Sequence, residues 1–190
     1  PDGGERGLSR HQDRQVGPPA VSGRPLLDLH LRPAGLIAGT RRLPCVIGRG
    51  GLTADKREGD GATPQGVWRI TGALYRPDRM ARPAPWALPI GARDLWSDDP
   101  ADPAYNMLVR APHAHSHEAL RRPDPLYDLI LLTDWNAARR PGRGSAIFLH
   151  TWRRRCASTA GCLAFRRADL LWLAQRIAPG TRLHVGGPQP

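Results

Sequence analysis

Ile147-Phe148-Leu149-His150-Thr151 is a short apolar run that reads as a buried strand with a histidine near its end. Thr159-Ala160-Gly161-Cys162-Leu163 follows, placing a cysteine twelve residues past that histidine and directly after a glycine. A thiol needs a base to act as a nucleophile at neutral pH, because at its ordinary pKa of about 8.5 only a few per cent of it is thiolate. An imidazole can take the proton and return it to a leaving group, an effect of about 10²–10⁴ in rate. Gly161 allows a tight turn, so the backbone N–H groups of Gly161 and Cys162 are candidates for an oxyanion hole, where one donor contributes roughly 3–4 kcal/mol. The stretch predicts a cysteine acyl-transfer site with Cys162 as nucleophile and His150 as base and acid. The same reading expects a Cys162 thiol that titrates well below a free one.

Working outward, Leu27, Leu29 and Leu31 alternate with Asp28 and His30, the pattern of a strand with one buried face. Leu36–Ala38, Leu43–Ile47, Val67–Tyr75, Leu126–Thr133, Ala146–His150 and Arg182–Val185 read as further strands. Leu170, Leu171, Leu173, Ala174 and Ile177 carry helical spacing, and Pro179-Gly180 ends that helix. Residues 48–66 read as irregular, and residues 76–125 as a long, proline-rich irregular segment of the kind that often carries function. The expected fold is mainly β with one amphipathic helix after the cysteine. Residues 1–24, polar and rich in Gly and Pro, are expected to be disordered or loosely packed. Residues 25–190 are expected to form a single domain.

The chain has 190 residues, 20 prolines, 21 glycines and a formal charge of +11. The Pro and Gly content argues against a helical bundle. Arginines cluster at Arg139-Arg140, Arg153-Arg154-Arg155 and Arg166-Arg167, and Lys56 is the only lysine. No nucleic-acid-binding motif accompanies them, so the charge reads as solvated surface with general attraction to polyanions, not as a specific nucleic-acid site. Three cysteines, Cys45, Cys156 and Cys162, leave at least one free thiol. No run is long enough for a transmembrane helix. The first 25 residues lack the apolar stretch of a signal peptide.

A second motif lies upstream. Lys56-Arg57-Glu58-Gly59-Asp60-Gly61-Ala62-Thr63-Pro64-Gln65-Gly66-Val67-Trp68 is an acidic, glycine-rich stretch leading through Thr-Pro-x-Gly into a strand. Together with His150 and Thr159-x-Gly161-Cys162, and with Tyr105-Asn106, Tyr127-Asp128 and Gly144–His150, it resembles the L,D-transpeptidase catalytic domain, also called the YkuD-type domain, over roughly Leu26–Val185. The chain departs from the better-known pattern at Ala160, where a histidine is usual, and at Ala164, where a polar residue is usual.

The resemblance implies a β-sandwich or barrel with a helix after the catalytic cysteine. It also implies action on peptidoglycan stem peptides, in cell wall biogenesis and cell shape. Cys162 would release D-alanine and form a thioester, which an amine resolves in transpeptidation and water in carboxypeptidation. A weakly active or non-catalytic wall-binding module is the remaining alternative. Location in the periplasm or at the cell wall is implied in the same way. Cys162 and His150 need no cofactor and no metal. His150 is expected to lean through its second ring nitrogen on a backbone carbonyl of the cysteine loop. Thr159 and Thr151 are expected to support the loop. Asp60, Thr63, Tyr105, Asn106, Trp152 and Arg154 are candidates for substrate contact.

Other features read more simply. His113, His115 and His117 alternate, but Pro112 before them and Glu118-Ala119-Leu120-Arg121 after them suggest a turn into a short helix, not a zinc-binding strand. Gly48-Arg49-Gly50-Gly51 lacks the Gly-Lys-Ser/Thr of a phosphate loop and reads as a flexible loop near the active site. Cys45, in an apolar run, reads as a small buried hydrophobe.

Overall fold

Leu29 and Leu31 point into the core and His30 and Arg32 away from it, so the first strand, β1 (Leu29–Arg32), has the alternation its sequence carries. The computed structural model describes residues 28–154 and 157–186. The loosely packed segment expected over residues 1–24, and Cys156, lie outside the described residues.

Strands β2 (Gly35–Ala38), β3 (Arg41–Leu43) and β4 (Cys45–Val46) follow, then the short pair β5 (Leu52–Thr53) and β6 (Thr63–Pro64). The long β7 (Gly66–Tyr75) is succeeded by β8 (Ala87–Pro89), β9 (Asp94–Ser97), β10 (Leu108–Arg110) and β11 (His117–Ala119). A 3₁₀ turn at Pro125–Tyr127, begun by Asp124, leads into β12 (Leu129–Thr133) and β13 (Leu149–Thr151). The chain ends through β14 (Leu163–Phe165), helix α1 (Arg167–Ala174) and β15 (Arg182–Val185).

The main sheet has the order β3-β2-β1-β15-β7-β12-β13-β14-β4, with β8 beside β7. Its outermost strands, β3 and β4, are separated in sequence only by Pro44. Proline fixes φ and offers no N–H to either strand, so the chain passes directly from one end of the sheet to the other. The result is a nearly closed, barrel-like sheet in a mainly β fold with one helix. Leu29, Leu36, Trp68, Leu131, Leu149, Leu163 and Leu183 form its core, and α1 buries Leu170, Leu173 and Ala174 against them.

Two stretches differ from the sequence reading. Residues 48–66 contain the parallel pair β5–β6, and residues 76–125 contain β8 and a three-stranded sheet of order β10-β9-β11. His117–Ala119 is a strand paired with β9, not the start of a helix. These strands are only two to four residues long, too short for a period-2 pattern to stand out from the surrounding prolines. No helix among the described residues is long and apolar enough to cross a membrane.

Candidate active site

The site is built on a parallel strand pair. β13 and β14 align Leu149 with Leu163 and His150 with Ala164. Side chains alternate across a strand, so Leu149 and Leu163 enter the main core, whereas Phe148 and Cys162 belong to a second apolar cluster on the other face. Cys162, one step before Leu163, stands beside Phe148. His150 stands one strand over and two residues along. The two residues share a sheet face and line one cavity of about 460 Å³.

His150 is buried and its ring meets Tyr127 edge-on, with centroids 5.4 Å apart. Its Nδ1 lies 2.8 Å from the Thr151 carbonyl oxygen. A carbonyl only accepts, so the proton sits on Nδ1 and Nε2 is the basic nitrogen. The acceptor is thus a backbone carbonyl, but of the histidine's own strand and not of the cysteine loop. Thr151 supports the ring through that carbonyl, while its buried hydroxyl has no hydrogen-bond partner among the described residues. Burial holds the imidazole down at about 4, against the opposing pull of the Thr151 carbonyl.

The Cys162 thiol donates to the Ala146 carbonyl at 3.0 Å and accepts from the Phe148 N–H at 3.4 Å. Burial pushes it up to about 12, and the Phe148 N–H only partly offsets this. The expectation of a depressed thiol pKa is therefore corrected. The resting pair is a neutral thiol and a neutral imidazole, because desolvation disfavours both charged forms. The thiol proton is directed at the Ala146 carbonyl, not at His150.

The loop carrying the cysteine is stitched in place. The Thr159 hydroxyl donates to the Cys162 carbonyl at 2.7 Å and accepts the Gly161 N–H at 3.1 Å. That second bond occupies the Gly161 N–H, one of the two donors expected for an oxyanion hole. Thr63 in turn donates to the Gly161 carbonyl at 2.8 Å and accepts the Gly48 N–H at 2.9 Å. Gly161 has φ +141°, and a Cβ there would sit 2.9 Å from the Ala62 carbonyl oxygen. Glycine is thus required on two counts, backbone conformation and contact with the Thr-Pro-x-Gly segment.

Several candidates for substrate contact prove to be framework. Thr63 and Tyr105 are buried and line no part of the cavity; the Tyr105 hydroxyl is spent on Glu58. Asp60 accepts from Lys56 and from the Arg57 and Ala62 N–H groups. Burial alone would raise its pKa, but those donors outweigh it and lower the value. Asn106 accepts from Ala146 N–H and Trp96 Nε1, each at 3.0 Å, and donates to the Trp135 and Asn136 carbonyls. Its carboxamide has nothing left for a ligand. It fixes Ala146, a non-glycine residue at φ +50° whose carbonyl holds the thiol. Trp152 does line the cavity; of the arginines after it, Arg153 does and Arg154 does not.

The sequence reading missed Glu58, Glu118, Arg122 and Tyr127, all on the cavity wall, where they join Arg49 of the glycine-rich loop. Arg122 lies over the Tyr127 ring, 5.3 Å from its centroid, and grips Asp124 through two 2.8 Å bonds. Glu58, within the Lys56–Trp68 motif, and the Tyr127-Asp128 pair were the available signals. The cavity therefore combines guanidinium groups and carboxylates around an apolar floor, a setting for a ligand that carries both signs of charge.

The family model for the L,D-transpeptidase catalytic domain (YkuD) matches residues 36–185. The chain belongs to that family. The match spans every strand from β2 to β15, and both candidate catalytic residues of this L,D-transpeptidase domain lie within it. No curated protein and no solved structure matches the chain.

Asn106 provides a test of how the L,D-transpeptidase framework holds its thiol. Asn106→Ala leaves two donors and two carbonyls without their partner, and burying unpaired polar groups costs about 1–3 kcal/mol each before relaxation and water entry. The expected result is a loss of about 2–4 kcal/mol in urea denaturation, together with weakened activity under conditions where the variant is still folded.

Proposed function

We propose that this domain is a cysteine-dependent acyltransferase acting on peptidoglycan stem peptides. The observation that carries the reading is the presence of Cys162 and His150 on one sheet face, lining a single charged cavity, in a chain of the L,D-transpeptidase family.

Cys162 Sγ attacks the carbonyl that precedes a terminal D-alanine, and the thiol proton passes to His150 Nε2. The tetrahedral intermediate collapses as that proton moves to the departing D-alanine amine, leaving a thioester. An amine of a second stem, giving up its own proton to His150, attacks the thioester carbonyl; the C–S bond breaks, that proton passes from His150 to the departing Cys162 sulfur, and a cross-link and the free thiol result. Water in that role gives a shortened stem.

Because the thiol is held protonated by burial, no thiolate needs to accumulate before substrate arrives. The proton leaves as sulfur bonds to carbon, because a base as weak as the buried imidazole does not deprotonate the resting thiol by itself. Since Gly161 N–H is engaged by Thr159, the Cys162 N–H is the backbone donor assigned to the oxyanion. Arg49, Arg122 and Arg153 are assigned to the stem carboxylates.

The test is the product profile from a purified disaccharide-tetrapeptide. Transpeptidation gives released D-alanine, cross-linked dimers and an acyl-enzyme seen as added mass. Carboxypeptidation gives D-alanine and tripeptide without dimers. Absence of D-alanine release from folded protein overturns the enzymatic reading in favour of a wall-binding module.

A further inference from the structure

We propose that Asp28, His30 and His184 form a binding site for a divalent transition metal of the zinc class on the outer face of the sheet, bridging β1 and β15. This inference is independent of the catalytic reading, since none of the three residues lines the catalytic cavity.

The topology brings the ligands together. β1 and β15 run parallel although they come from opposite ends of the chain, and His30 pairs in register with His184. Asp28 lies two residues before His30 and therefore on the same face. Leu29, Leu31, Leu183 and Val185 take the opposite face into the core, which holds the ligand-bearing strands rigidly.

One ligand atom from each residue lies within 4.8 Å of the others. Four-coordinate zinc, with bonds of about 2.0–2.2 Å, needs ligand atoms roughly 3.4 Å apart. His184 Nε2 and Asp28 Oδ2 are already 3.6 Å apart, close to that spacing. Three of four positions come from the protein and the fourth is left to water.

A second observation points to a ligand. His184 Nε2 is buried and has no hydrogen-bond partner among the described residues. The two imidazoles are stacked, with centroids 4.5 Å apart and planes inclined by 17°. Two imidazoles and one carboxylate form a borderline set that suits zinc, nickel or copper better than calcium or magnesium.

The His113, His115 and His117 cluster offers no comparable arrangement. His113 and His115 are tied to Asp102 and Asp99 at 2.7 and 3.1 Å, and His117 to a backbone carbonyl.

Arg182 holds both oxygens of Asp28, at 3.1 and 2.7 Å. It is a half-exposed side chain and can turn into solvent when a dication takes its place. The guanidinium therefore competes with the metal, and that competition gives the proposal an unusual signature.

The experiment is zinc chloride titration of the chelator-treated full chain by calorimetry, with thermal melts alongside. The wild type is expected to bind one equivalent that the His30→Gln/His184→Gln double variant lacks, and to melt about 5 °C higher when saturated. Asp28→Asn, a near-isosteric change at a strand start, is expected to weaken that equivalent at least about tenfold. Arg182→Ala is expected to tighten it several-fold, opposite to the effect of removing a ligand. No zinc binding by the wild type overturns the proposal. So does unchanged stoichiometry in the double variant, or unchanged affinity in Asp28→Asn.

Discussion

Cys162→Ala is expected to remove all detectable D-alanine release from a tetrapeptide stem while the protein remains folded. The two losses differ widely in size. The side chain makes two weak sulfur hydrogen bonds, to Ala146 and from Phe148, and their removal with the small cavity left behind costs about 1–2 kcal/mol. Removing the nucleophile eliminates the covalent route altogether, and the oxyanion donor and binding groups that remain have no bond-forming partner. Cys162→Ser sharpens the point. A hydroxyl can still donate to the Ala146 carbonyl, so the local fold is kept, but it is far harder to deprotonate with a base of the strength of His150. Its release rate is expected to fall by several orders of magnitude, and acyl-enzyme mass should be absent from both variants. Wild-type release rates in Cys162→Ala would end the nucleophile assignment. Slow alkylation of wild-type Cys162 at neutral pH is the companion expectation, since burial keeps the thiol protonated.

The parts of the molecule that were legible in advance are those where one face meets the core. The alternation of β1, the apolar run leading into β13, and the helical spacing behind α1 all follow from burial of one side of a regular element. The juxtaposition of His150 and Cys162 rests on the parallel pairing of β13 with β14, whose register puts both residues on one sheet face. Polar side chains were another matter. Asp60, Thr63, Tyr105 and Asn106 are residues that bind substrates in many proteins, and here each spends its polar end within the protein, Asp60, Thr63 and Asn106 on backbone groups and Tyr105 on the Glu58 carboxylate. Residue type gives the chemistry of a group but not its direction. Asn106 sits at a φ of +58°, a conformation Asn tolerates better than most residues. The choice between Arg153 and Arg154 failed for a related reason. Arg153, Arg154 and Arg155 present the same group in one run, so residue type could not separate them; the chain bends at residues 153–154 and Arg153 lines the cavity. The thiol pKa was misjudged because the expectation rested on a partner imidazole, whereas burial dominates at the sulfur.

His150→Gln separates the chemical role of the ring from its cost to stability. Activity is expected to fall by about 10²–10⁴, the range for losing a positioned general base. Stability should respond in the opposite direction at low pH. The buried imidazole titrates at about 4, below its ordinary value of 6.5. Between those values the unfolded chain binds a proton that the folded chain does not, so wild-type stability falls as pH drops from 6.5 towards 4. A displacement of that size corresponds to about 3 kcal/mol once both values have been crossed. Glutamine does not titrate, so the variant lacks this contribution, while the acid-sensitive carboxylates are common to both proteins. Urea denaturation at pH 7.5 and pH 4.5 is expected to show the wild type losing more stability than His150→Gln. The kcat/KM profile of the wild type should accordingly keep its acid limb well below pH 6.5, because the base stays neutral until then. Parallel stability losses in the two proteins, or an acid limb at the pKa of free imidazole, would mean that the ring is solvated in the working enzyme and that the neutral resting pair described above does not exist.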